Sequence, residues 1–208
     1  MAYGTIKADN LLSTTGTVDL TTIATDYVQK SGDTMTGSLT TSGDLSAAKG
    51  TFSTGVLFGT DTADANTLDD YEEGTFTPTL SGSGGSPSVT YNTTNTHGAY
   101  VKVGNLVTFT LEIRTESRTG GSGNLLIEGL PFSAASIGGS EQEYEFPIML
   151  YNVTFDASYI YTAELVGVSD YIQVRGNRSG TSDANLEVSA WSNANPTLCR
   201  ISGSYRVA

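Results

Sequence analysis

Few side chains in this sequence are equipped for chemistry. His97 is the single histidine and Cys199 the single cysteine. A nucleophilic hydrolase would pair Ser or Cys with a base, yet His97 lies in the turn-like stretch NTTNTHGAY, where a solvated polar role is expected. Cys199 enters the last apolar run in LCRIS, and a small thiol there is expected to be buried rather than reactive. One cysteine excludes an intrachain disulfide, and one of each excludes a Cys/His zinc cluster of the usual kind.

Carboxylates offer two further chemistries. Glu141, Glu143 and Glu145 alternate along one strand face, and a carboxyl pair could run glycoside hydrolysis. Neighbouring acids on an exposed face more simply protect a sheet edge. Asp69, Asp70, Glu72 and Glu73 could present oxygen to a hard cation, but they lack the Asp-x-Asp-x-Asp-Gly spacing of a calcium loop, so capping or a solvated hinge is expected. The glycine runs sit between strands and read as hairpin turns, not phosphate cradles. We expect no enzyme, no metal site and no cofactor.

The elements that must carry these residues are β-strands. The 208 residues include 31 Thr, 23 Ser and 24 Gly, with 11 Tyr and 7 Phe, a mixture that suits strands and turns over helices. The net charge is -12, from 22 acids against 10 bases, which argues against nucleic-acid binding through a basic face. The opening MAYGTIKADN has no basic region followed by an apolar stretch, and no run approaches the ~20 apolar residues of a membrane span. The expectation is a soluble chain with no membrane insertion and no conventional secretion signal.

Composition changes near residue 70. Only Tyr3, Tyr27, Phe52 and Phe58 among the aromatic residues precede it, and all five prolines follow it. The earlier segment carries too little large apolar surface to offset chain entropy alone, so it is either disordered or completed by other chains. Residues 18 to 28 place Leu20, Ile23, Ala24, Tyr27 and Val28 at helical spacing and predict a short helix. Beyond it, Met35, Leu39, Leu45, Phe52, Val56 and Phe58 recur between glycine turns. That cadence fits a thin intertwined shaft or a flexible linker.

Residues 70 to 208 predict an antiparallel β-sandwich, jelly-roll-like, of about ten short strands. Asn105 to Arg114 alternates strictly, with Val107, Phe109, Leu111 and Ile113 on one face and Thr108, Thr110, Glu112 and Arg114 on the other. Glu141 to Leu150 and Thr75 to Leu80 each read as one strand. In Leu186 to Trp191, alternation sends Leu186, Val188 and Ala190 inward and Trp191 outward, and Ile201, Gly203, Tyr205 and Val207 share a face of the last strand. Further strands are expected over 88–92, 99–103, 124–130, 158–166 and 170–175.

Two stretches carry a resemblance. YVQKSGDTMTGSLT, Tyr27 to Thr40, resembles a motif of bacteriophage tail-fibre proteins. LDDYEEGTFTPTL, Leu68 to Leu80, with GAYVKVGNLVTFTLEIR, Gly98 to Arg114, is similar to the terminal β-domain of fibre-like virion proteins, particularly those of marine phages. The resemblance implies a mainly β homotrimer with a short trimeric β-rich shaft and a head. Its parts would be an attachment segment over 1–30, an intertwined shaft over 31–69 and a sandwich head over 70–208. The shaft could span at most ~130 Å at ~3.3 Å per residue.

The implied localisation is the virion, assembled in the host cytoplasm. Thr5, Ile6, Leu11 and Leu12 would dock on other phage tail or capsid proteins. Trp191, with the amides of Asn193 and Asn195, would offer a stacking platform to a host surface glycan, unless Trp191 instead packs beneath the 176–183 loop or against a neighbouring subunit. The alternative role is a capsid decoration or knob without receptor binding. A depolymerising spike would need the repeated parallel β coils absent here.

Overall fold

The computed structural model describes residues 38–60, 63, 67–136, 143–180 and 182–207. The predicted helix over 18–28, the attachment residues Thr5, Ile6, Leu11 and Leu12, and Glu141 lie outside the described residues. The chain divides after Thr51 into two units. Residues 38–51, the described part of the first, are exposed throughout and form no strand, with Leu39 58% and Leu45 65% accessible. In the second unit, Phe52 and Phe58 are also exposed, and Val56 bridges Leu68 ahead of the first strand. Among the described residues no helix is long and apolar enough to cross a membrane.

From Tyr71 onward the chain is a β-sandwich of two antiparallel sheets. The first sheet runs β1 (Tyr71–Phe76), β4 (His97–Val103), β5 (Leu106–Thr119), β12 (Thr197–Arg206) and β8 (Ile148–Tyr151), with β3 (Ser88–Tyr91) also on β5. The second runs β2 (Thr79–Gly82), β6 (Leu125–Glu128), β10 (Ile172–Asn177), β9 (Ile160–Val166) and β7 (Glu143–Phe146), with β11 (Ala184–Asn185) on β10.

Alternation explains why these segments form strands with one buried face. On β5, Val107, Phe109, Leu111 and Ile113 are buried, as their spacing predicts. They meet Leu125 and Ile127 of β6, Ala163 and Leu165 of β9, and Ile172 and Val174 of β10 in one apolar core. Burying each large side chain contributes about 1.5–3 kcal/mol.

Two predicted single strands are instead broken at proline. Thr75 to Leu80 divides at Thr77–Pro78 into β1 of the first sheet and β2 of the second. Glu141 to Leu150 divides at Pro147 into β7 of the second and β8 of the first. Proline has no N–H for a ladder and restricts the residue before it, so the chain changes sheets there.

The sheets meet at one point where an aromatic ring rests on a glycine. Phe146 of β7 lies against Gly203 of β12, and a Cβ built on Gly203 would overlap its ring. Phe146 also meets Phe109 edge to face at 5.1 Å, and Phe109 meets Tyr205 at 5.8 Å, so the contact joins both sheets. Gly203→Ala should therefore destabilise the sandwich by about 1–3 kcal/mol through overpacking, read from urea unfolding. Phe146→Leu in the same chain should recover part of the loss, and an unchanged midpoint for Gly203→Ala would contradict the clamp.

Candidate functional site

The outer face of the first sheet is built by register. His97, Glu112, Arg200 and Met149 stand directly opposite one another across β4, β5, β12 and β8. The next row on the same face is Ala99, Thr110 and Ser202. His97 owes its place to a short excursion between β3 and β4, which both pair with β5. Thr96 closes the excursion: its hydroxyl accepts from the Arg114 N–H at 3.1 Å and donates to the Arg114 carbonyl at 3.0 Å.

Between these rows lies an open groove of about 490 Å³, lined by the side chains of His97, Thr110, Glu112, Met149, Arg200 and Ser202. That volume is in the range of small-molecule sites. Glu112 organises it. One carboxylate oxygen accepts from Arg114 Nε and Nη2 at 3.0 and 2.8 Å, and the other accepts from Arg200 Nε at 2.7 Å. Partial burial acts to raise the Glu112 carboxyl, but the bonds from Arg200 and Arg114 outweigh it and hold the group below its ordinary value. The same carboxylate holds Arg200 firmly protonated.

An aromatic group forms where the loop ahead of β9 meets the start of that strand. Phe155 and Tyr161 meet edge to face at 5.5 Å, Tyr159 leans on Tyr161 at 6.1 Å, and the Arg178 guanidinium lies 4.7 Å over Tyr159. The cluster joins the exposed Phe155 ring to the half-buried Tyr159 and Tyr161.

Trp191 is not exposed. The outward position assigned to it is corrected by the backbone, because Val188–Ala190 is a 3₁₀ turn and not a strand. At three residues per turn Trp191 returns to the side of Val188, and both are fully buried. The indole N–H donates to Thr115 Oγ1 at 2.9 Å, and the Thr115 hydroxyl donates to the Thr197 carbonyl at 3.3 Å. Asn193 is exposed, but its side-chain oxygen accepts from the Arg118 N–H at 2.7 Å, so it braces the end of β5. Asn195 is exposed on the same loop.

The other residues singled out by type are dispersed. Asp70 pairs with Lys102, Tyr100 donates to Glu72, and Tyr71 donates to Glu73 at 2.9 Å. Among the described residues no three acidic, His or Cys side chains converge on a cation position. Glu145 is exposed opposite Glu164 of β9, whose buried carboxylate pairs with Arg175 at 2.7 Å. Glu143 contributes its backbone to β7. Cys199 is buried facing the core. Arg200, Met149 and Ser202 had no signal in the sequence as site residues. Thr110 and Glu112 were placed on the outer face, but nothing local names the strand that lies beside them.

From Tyr71 onward the chain is thus an antiparallel sandwich with an open groove across one outer face. No protein-family profile matches the sequence, and no curated protein does. Among solved structures, the fold is similar to a crystal structure of the Dettilon tailspike protein (gp208), with 21% identity and a TM-score of 0.50. The match covers 65% of this chain and 24% of the tailspike, so the chain corresponds to about a quarter of that protein's length.

Two buried groups set the alkaline behaviour. Burial pushes the Cys199 thiol up from 9.0 to about 12 and the Tyr205 hydroxyl, which donates to the Phe132 carbonyl, up from 10.0 to about 12. Each neutral form is favoured in the folded state. Their contribution is complete below the ordinary values and is lost as pH rises toward about 12. Unfolding free energy should therefore fall from about pH 9 upward, and Tyr205→Phe should flatten the decline. The single tryptophan supplies a second check: native emission should be blue-shifted and shielded from acrylamide, and ready quenching in the folded state would contradict its burial.

Proposed function

We propose that this chain is a structural protein of a phage tail, a trimeric short fibre that attaches through residues 1 to about 30 and presents its sandwich for contact with a host receptor. The observation that carries the trimer is the exposure of Leu39, Leu45, Phe52 and Phe58 on a single chain. Apolar anchors spaced along a polar Ser/Thr/Gly segment gain burial only when other chains wind against them. The fold's likeness to part of a tailspike and the fibre-like motif at Tyr27 to Thr40 support placing that assembly on a tail.

The proposed role is binding, not catalysis. The groove presents one carboxylate, Glu112, already committed to two guanidiniums, whereas acid/base glycoside hydrolysis uses two carboxyls. The groove and the Phe155–Tyr159–Tyr161 cluster are the surfaces through which a host glycan would be held.

Light scattering should give about three times the 21.8 kDa chain mass, and a monodisperse monomer or dimer would refute the trimer. Deleting residues 2 to 28 should abolish incorporation into particles while the trimer persists. The purified full chain should compete with virions for host adsorption. A chain that incorporates into particles yet neither binds cells nor slows adsorption at high concentration would favour a capsid decoration role.

A further inference from the structure

The groove on the first sheet is crossed by a linked set of three charges. Arg114 and Arg200 are cationic and Glu112 is anionic, so the three side chains carry a net +1 in a chain of net -12. Glu112 binds Arg200 through Nε. The two terminal nitrogens of Arg200 make no hydrogen bond with the described residues, and its side chain is 51% accessible. A guanidinium bound through Nε still has its two terminal nitrogens as a pair of parallel donors.

The neighbours of that fork are equally specific. Thr110 and Ser202 offer hydroxyls that can donate or accept, and Met149 and Pro147 add apolar surface to the same lining. A planar carboxylate answers the fork, hydroxyls answer Thr110 and Ser202, and the C–H face of a ring answers Met149 and Pro147. A saccharide ring bearing a carboxylate combines all three. Inorganic phosphate would satisfy the fork but leave most of a groove of about 490 Å³ unused.

We propose that this groove binds an acidic saccharide, with Arg200 clasping the sugar carboxylate and Glu112 as the positioning residue that aims Arg200. The inference rests on the receptor-contact reading above and names the class of sugar that contact would take. Its elements belong to the two longest strands of the sheet, β5 and β12, so the fork is held by continuous ladder pairing from Leu106 to Thr115.

The test uses the full chain in its native assembly, with a glucuronate-terminated and a sialylated trisaccharide, the carboxyl-reduced form of each, and inorganic phosphate. Calorimetry should show binding of at least one acidic sugar, weakened at least about tenfold by carboxyl reduction. Arg200→Lys, which keeps the charge and loses the fork, should weaken it by a similar factor, with Trp191 emission unchanged as the control for folding. Binding that survives Arg200→Lys, equal binding of the reduced sugars, displacement by phosphate at equal affinity, or failure of both acidic sugars to bind would each overturn the proposal. The adsorption assay separates the two readings. If the chain blocks adsorption but binds neither acidic sugar, the groove inference fails and receptor contact stands. If it binds an acidic sugar but leaves adsorption unchanged, the groove site stands and receptor contact fails.

Discussion

The Phe146 ring rests on the bare backbone of Gly203, a contact between the two sheets that leaves no room for a side chain. A side chain on residue 203 would hold the layers apart, and a smaller residue at 146 would leave the glycine facing a void. Phe109, Tyr205 and Tyr144 complete the aromatic group, with Tyr144 and Tyr205 at 6.3 Å. Edge-to-face rings add about 0.5–1.5 kcal/mol beyond the area they bury and also fix orientation. Because β12 alternates, the inward positions 199, 201, 203 and 205 determine where 200 and 202 stand on the other face. The packing that sets the core thus also sets the groove.

That coupling accounts for the rigidity of the groove. Thr110 and Glu112 sit above Phe109, Leu111 and Ile113, all nearly or fully buried, and Arg200 and Ser202 sit above Cys199 and Ile201. None of the four can shift along its strand without moving a core residue to the wrong face, since slippage by one residue inverts every side chain. Trp191 belongs to the same scaffold: its indole N–H is satisfied by Thr115, the residue on β5 that closes the buried series. Burial with a fully used hydrogen bond is a structural role for the chain's one indole.

Local alternation made much of the fold legible. The β5 pattern and the inward set on β12 could be read directly, because period two is written in consecutive residues and the buried face confirms it. The breaks at Pro78 and Pro147 were present in the sequence, but their consequence was not, since a proline ends a ladder without saying which sheet the chain enters next. The 3₁₀ turn at Val188–Ala190 defeated alternation because Leu-Glu-Val-Ser-Ala-Trp fits either period over so short a span. The groove was legible only by halves. Glu112 and Arg114 are two residues apart and visibly share a face, whereas Arg200 lies 88 residues away and reaches Glu112 only through sheet pairing.

The two parts of the chain answer the entropy of folding in different ways. From Tyr71 onward, long-range pairing joins strands remote in sequence, and each inward side chain meets others of the same chain. Ordering that region is offset by burial within one molecule. Over the described residues before it, Leu39, Leu45, Phe52, Leu57 and Phe58 are exposed, and the half-buried Val56 and Leu68 form an isolated bridge. Each additional ordered residue there costs about 1–2 kcal/mol of backbone entropy, with no intramolecular core to offset it. Leu39, Leu45, Phe52 and Phe58 find no burial among the described residues, whereas the sandwich carries its own core.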